Sequence, residues 1–223
     1  MKNKKEPFID FKFKENDIII LGIGGHAGMC IDILLNQKKF NLVGFIDKSK
    51  TSDNNFNLKY LGTLDNLDYL IKKGLKNLII GIGFVGNLKK RDNYYLELSS
   101  RINIPTIIHD KAVIENSAFI HSGCQIMAGS IVGSNVTIES NCITNIGTLI
   151  SHDSIIKKSS HITPGAIIAG GVTIGERCNI GMGSTIFLGI QIGNDVMIGD
   201  GSVILRNTPN NVTIVGNPGR IIK

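Results

Sequence analysis

Five histidines are the side chains of this 223-residue chain best suited to moving a proton near neutral pH: His26, His109, His121, His152 and His161. His152 is followed directly by Asp153, whose carboxylate could fix one ring tautomer and stabilise the charged ring once it has taken a proton. A second constellation lies nearer the N-terminus. Gly22, Gly24 and Ala27 fit G-x-G-x-x-A directly after the apolar run "DIIILG". Backbone N–H groups of such a loop, with the helix N-terminus that follows, can hold phosphate. Asp47, 25 residues beyond Gly22, could accept a hydrogen bond from a ribose or a base. The four cysteines, Cys30, Cys124, Cys142 and Cys178, contain no C-x-x-C pair and give no metal framework. Reduced thiols are expected.

These residues need elements to position them, and the second half supplies them by repetition. Every sixth residue from Ile114 to Ile204 is Ile or Val in fifteen of sixteen cases, with no insertion. Two residues before each lies a mostly small residue, the column Ala112, Ala118, Cys124, Ser130 and onward. In a strand, residues i and i+2 share a face, so both columns point inward from short strands. A six-residue period then means a strand and a turn, three times per coil, around a triangular prism. Coils of eighteen residues stack about 4.8 Å apart, giving a prism roughly 25 Å long. Cys124, Cys142 and Cys178 fall in the small column and read as core. Glycines that follow the inward Ile or Val, such as Gly133, Gly175, Gly181, Gly193 and Gly199, are expected to supply turn conformations. His152, two residues after inward Ile150, should sit at a turn and point outward. The repeat explains a composition of 39 Ile and 26 Gly with only 6% aromatics.

The first half reads differently. "DIIILG" is a buried strand, "GIGGHAGMCIDILL" a glycine loop entering a helix, and "NLVGFID" a second strand ending in Asp47. "LDNLDYLIKKG" predicts a helix, "KNLIIGIG" a strand, "NLKKRDNYYLELSSR" a helix and "IPTIIHD" a last strand. Alternating strands and helices imply a small parallel α/β domain. The net charge of +6 lies wholly in residues 1–106, which hold 17 Lys/Arg against 11 Asp/Glu; Lys2, Lys4, Lys5, Lys12 and Lys14 carry part of it. That balance suits a phosphorylated ligand. No basic run interleaved with aromatics points to nucleic acid. No apolar run reaches the roughly 18–20 residues of a membrane span, and the charged start has no signal-peptide core. A cytoplasmic location is expected.

The segments "GIGGHA", "GFID", "IIHDKAVI", "NIGTLISHDSII", "SSHITPGAIIAGG" and "VGNPGR" together resemble the bacterial sugar O-acyltransferases among the hexapeptide-repeat acyltransferases. That family includes sialic-acid O-acetyltransferases and UDP-amino-sugar or GDP-perosamine N-acetyltransferases. The resemblance implies a Rossmann-like domain over 17–110 after an extension at 1–16. A left-handed parallel β-helix follows over 111–206, with a tail at 207–223. It also implies a homotrimer, with acetyl-CoA bound between neighbouring prisms and no metal. The implied reaction moves acetyl from acetyl-CoA to the amine of a nucleotide-linked sugar, with His152 and Asp153 catalytic. His161, Gly170, Gly171 and Arg220 are implied at acetyl-CoA. Gly22, Gly24, Gly25, His26, Asp47 and Lys48 are implied at the nucleotide sugar. Two positions depart from the family pattern: Lys48 stands where a second acid is frequent, and Gly219 where Ala is usual. Alternatives are O-acetylation of sialic acid, a zinc enzyme like the γ-class carbonic anhydrases, or a β-helix without catalysis. The last two explain less, since no matching zinc-ligand pattern exists and the outward positions are irregular.

Overall fold

A computed structural model describes residues 12–49, 56–83 and 88–223. Lys2, Lys4 and Lys5 lie outside the described residues. The chain divides into two compact units: residues up to Gly83 with Tyr94–Pro105, and Phe84–Asn93 with Thr106–Lys223.

The first unit is built on a three-stranded parallel sheet, with β1 (Asp17–Leu21) between β2 (Asn41–Ile46) and β3 (Asn77–Ile80). β1 is buried along its whole length, as expected of a parallel strand covered on both faces. Helices α1 (Gly25–Gln37) and α2 (Leu67–Lys72) follow β1 and β2, and α3 (Lys89–Ser99), which belongs to this unit from Tyr94 onward, follows β3. Ile19, Leu21, Leu70, Leu78, Leu98 and Ile102 belong to one apolar core. Between β1 and α1 the chain turns at Gly22, which sits at φ +91° and donates its N–H to the Ile46 carbonyl at 2.8 Å. Only glycine takes that conformation without strain, so the loop is glycine-led for a backbone reason before any ligand is considered.

The second unit is a parallel β-helix. Seventeen two-residue strands recur every six residues, from Ile107–Ile108 to Val203–Ile204. Each pairs in register with the strand eighteen residues away, which makes three faces. We name these the Leu149, Ile155 and His161 faces. The inward columns form one continuous core, including Ile126, Ile150, Ile168, Ile174 and Ile186.

The small inward column has a polar function as well as a steric one. Ser154 Oγ donates to the Ala169 carbonyl at 3.0 Å, and Ser160 Oγ to the Gly175 carbonyl at 2.6 Å. Cys142 and Cys178 donate to the carbonyls of Lys157 and Gly193 in the same way. A buried corner carbonyl would otherwise lose its water without replacement. Burial pushes the Cys178 thiol up to about 11, so it stays a thiol.

Two expectations are corrected. The segment "IPTIIHD" does not close the α/β sheet: Ile107–Ile108 pairs in parallel with Gln125–Ile126 and opens the β-helix. Ile108 lies six residues before Ile114, so it belongs to the hexad column, and a two-residue strand gives no other sign of its sheet. The glycines after the inward Ile or Val do not supply turn conformations, because none of the five has positive φ. They allow coils to stack: a Cβ on Gly175 would lie 2.3 Å from the Gly193 carbonyl oxygen. The left-handed corner recurs three residues after the inward Ile or Val position, at Gly129, Asn135, Asn141, Gly147, Asp153 and onward.

The repeat ends with a shortened coil. Thr213–Val215 pairs with Met197–Ile198 sixteen residues back, then turns into Arg220–Ile221, which caps the sheet edge in antiparallel.

Candidate active site

His152 occupies the corner between strands Leu149–Ile150 and Ile155–Ile156, on the edge shared by the Leu149 and Ile155 faces. Its side chain is 64% exposed, and its Nδ1 lies 2.8 Å from Asp153 Oδ2. Asp153 is the left-handed corner residue, at φ 58°, and its own N–H donates to the Ser134 carbonyl. His152, with Asn135 second, holds the Asp153 carboxyl below the usual carboxylate range. An ionised carboxylate accepts only, so Nδ1 carries the hydrogen, and in the neutral ring Nε2 then has the lone pair. The pair therefore presents a proton acceptor to solvent.

Gly170 lies one coil beyond His152. A Cβ there would come within 2.6 Å of His152 Cε1 and 2.7 Å of Nε2, so the imidazole occupies the space a side chain would take. The Gly171 N–H donates to the His152 carbonyl at 2.9 Å. That bond commits Gly171 to the backbone, whereas the Gly170 N–H has no backbone acceptor among the described residues.

His161 is placed elsewhere. It is buried in the middle of its own face, opposite the edge that carries His152, and one chain does not bring the two rings together. Asn145 Oδ1 accepts the Ile146 N–H, which turns the Asn145 amide nitrogen toward His161 Nε2 at 3.1 Å. Nε2 is thus the acceptor of that bond. Sequence reasoning missed Asn145; the "TNIGT" corner gives no sign that its amide reaches sixteen residues ahead.

Arg220 lines a cavity of about 420 Å³ with Arg206, Leu205, Ile214 and Pro218. Arg206 stands on the His152 edge, in the column His152, Gly170, Leu188 and Arg206. His109 pairs with Asp110 at 2.9 Å, and His121 packs edge-on against Phe119.

In the first unit, Gly24 caps α1 without a side-chain hydrogen bond, and both Gly24 and Gly25 are exposed with open space where a Cβ would stand. The helix thus begins at two glycines that carry no side chain over its first N–H groups. Asp47 is not simply a ligand acceptor: its Oδ2 accepts the Ile23 N–H at 3.1 Å and its Oδ1 the Lys48 N–H. The carboxylate thereby ties the end of β2 to the glycine loop. Lys48 is exposed, and His26 lies 3.8 Å from Cys30 Sγ on α1. Among the described residues no three His, Cys, Asp or Glu are grouped to hold a metal.

Family models place these features. A PglD N-terminal domain matches residues 17–98, and the bacterial transferase hexapeptide matches 111–145 and 153–187. The hexapeptide repeat of succinyl-transferase matches 171–206. Among solved structures, GDP-perosamine N-acetyltransferase from Caulobacter crescentus, a histidine-to-alanine variant with CoA and GDP-perosamine, is 27% identical. The match covers 94% of this chain and 98% of that one at a TM-score of 0.88. The two kinds of family model and this structure make the chain similar to the hexapeptide-repeat sugar acyltransferases. The acetyltransferase domain of PglB from Neisseria gonorrhoeae, with acetyl coenzyme A, is also similar to this chain: 26% identity, 94% and 100% coverage, TM-score 0.86. WeeI from Acinetobacter baumannii shares the fold at 23% identity, 92% and 99% coverage, and a TM-score of 0.74. No curated protein matches the chain.

Proposed function

We propose that this protein moves the acetyl group of acetyl-CoA to the amino group of a UDP- or GDP-linked amino-deoxy sugar in bacterial glycan biosynthesis. The observation that carries the reading is the exposed His152–Asp153 pair, in a chain similar over nearly its whole length to an N-acetyltransferase solved with CoA and a nucleotide amino sugar. The amine lone pair forms a bond to the thioester carbonyl carbon. His152 Nε2 takes the proton released by the amine, and the C–S bond breaks. The imidazolium then returns the proton to the leaving sulfur, and Asp153 stabilises the ring while it is charged. The Gly170 N–H is the candidate donor to the carbonyl oxygen as negative charge develops there.

Two further observations support a site built between copies of the chain. Val113, Ile131, Leu149 and Ile167 form an exposed apolar ladder on the Leu149 face, beside the His152 edge, so the outward positions of this face are regular where irregular ones were expected. Covering it with a neighbouring copy in a homotrimer would remove that surface from water, and would let His161 of one copy serve the His152 edge of the next. Along the edge, Arg206 lies three coils from His152, about 14 Å by coil spacing. That distance suits an extended pantetheine arm with its phosphates at Arg206 and Arg220. Gly22, Gly24, Gly25, His26, Asp47 and Lys48 would hold the nucleotide sugar. No helix among the described residues is long and apolar enough to cross a membrane, which is compatible with a cytoplasmic enzyme acting on cytoplasmic acetyl-CoA.

Thiol release from acetyl-CoA, measured against a panel of UDP- and GDP-linked amino sugars and free sialic acid, tests the reading. Rapid release with a nucleotide amino sugar is expected. Release with sialic acid alone would replace it with O-acetylation.

A further inference from the structure

We propose that Asn135 is a positioning residue for this transfer: it holds Asp153, and through it the imidazole of His152, in the arrangement that presents Nε2 as the base. The inference rests on the reading of His152 as base and adds the residue that keeps it oriented.

Asn135 Nδ2 donates to Asp153 Oδ1 at 3.1 Å, while Asp153 Oδ2 meets His152 Nδ1 at 2.8 Å. Each carboxylate oxygen therefore has one side-chain partner, and the plane of the carboxylate is set by two bonds instead of one. Both residues are left-handed corners one coil apart, at φ 59° and 58°. Parallel backbones in the same conformation send their side chains the same way, so the amide is aimed at the carboxylate by the fold. Asn135 is itself anchored one coil further back, its N–H donating to Ser117 Oγ at 3.0 Å. The same one-coil bridge recurs between Asn141 and Ser159 and between Arg177 and Asp195. At 135–153 it leads on to an imidazole.

The residue type suits the task. A primary amide donates without a charge and cannot take the proton that His152 must accept. A carboxylate at 135 would repel Asp153. Asp153 is 57% exposed, so with Oδ1 unheld it would exchange its bond to His152 for water. The tautomer protonated at Nε2 would then gain population, and it has no lone pair at the reacting position.

Asn135→Gly removes the amide and keeps the left-handed corner. In the full chain, with acetyl-CoA and the best acceptor of the panel, we expect kcat to fall about three- to tenfold with both KM values unchanged. In an Asp153→Asn background the same change is expected to cost nothing more, because the path it acts through is gone. Nitrogen-15 NMR of the imidazoles needs no substrate. It should show the His152 hydrogen on Nδ1 in the parent and shared between both nitrogens in Asn135→Gly, with His152→Ala assigning the resonance. An unchanged kcat and tautomer in Asn135→Gly, or full additivity with Asp153→Asn, overturns the proposal while a dead His152→Ala leaves the base reading standing. A His152→Ala enzyme at the parental rate sinks the base reading and this proposal with it.

Discussion

A residue of the β-helix has a copy of its environment eighteen positions away, whereas a residue of the glycine-loop unit has no such copy. In the β-helix the inward Ile column, the Ser and Cys donors and the left-handed corners recur at fixed places, and register is held by stacking. One corner position escapes these demands, and it carries Ile146, His152, Lys158, Pro164 and Gly170 in turn. Chemistry is affordable there because neither core packing nor corner geometry dictates the side chain. In the glycine-loop unit the order is reversed. Gly22, Gly24 and Asp47 already serve the backbone, so the groups proposed to bind the nucleotide are also those that shape the loop. A change at the His152 corner should therefore strike the chemical step alone, and a change at the loop should strike fold and binding together.

The sharpest way to break that contrast is His152→Ala. We expect kcat to fall about 10²- to 10⁴-fold with KM for acetyl-CoA nearly constant and the melting temperature unmoved, read by thiol release and thermal unfolding. A large loss of stability would show that the corner is structural after all.

The contrast also explains what was legible in the sequence. The hexad column places Ile174 or Ile186 in the core without a structure, because a period of six with β-branched residues has few other physical solutions. His152 beside Asp153 was legible for the same reason, since a corner side chain must face outward. Three things were hidden. Ile107–Ile108 is too short to declare its sheet. The glycines after the inward Ile or Val looked like turn formers, because stacking distances of 2.3 Å at Gly175 exist only between coils. The Asn135–Asp153 and Asn145–His161 contacts join residues eighteen and sixteen apart, and nothing local marks them.

Packing in the β-helix is the next test. Ile174 is fully buried in a column whose neighbours above and below are fixed by register. Ile174→Ala is expected to cost about 2–5 kcal/mol in denaturant unfolding, near the upper end if the coils cannot close on the cavity. Gly170→Ala should cost little stability and much activity. Its Cβ would meet the imidazole at 2.6 Å, and the exposed ring can move away but only off its reacting position. A loss in kcat of about 10- to 100-fold is expected, with an unchanged melting temperature. Asp47→Asn, on the other side of the comparison, leaves one oxygen for two backbone donors. It should lower the melting temperature and raise KM for the nucleotide sugar about three- to tenfold, with kcat little altered.

The smallest effect sets one kind of ion pair in both regions side by side. Arg177 donates from Nε and Nη2 to the two oxygens of Asp195, each at 2.9 Å, and both side chains are about one-fifth exposed. In the glycine-loop unit Arg101 meets Asp68 at 2.6 Å, but Asp68 is 73% exposed. Distance alone would rank the second pair higher; burial and fork geometry rank the first. Asp195→Asn should cost about 1 kcal/mol, because Arg177 keeps Glu176 at 2.8 Å and its charge is not orphaned. Asp68→Asn should cost at most a few tenths of a kcal/mol. The pH dependence separates them further. Arg177 holds the Asp195 carboxyl below its ordinary value, so the folded state favours the ionised form. That contribution is complete above the unfolded carboxylate value of about 3.9 and disappears as pH falls through the lower folded value. The gap in melting temperature between the parent and Asp195→Asn should therefore be full at neutral pH and close below about pH 4. A gap that persists at low pH would mean that Asp195 acts through packing and not through its charge.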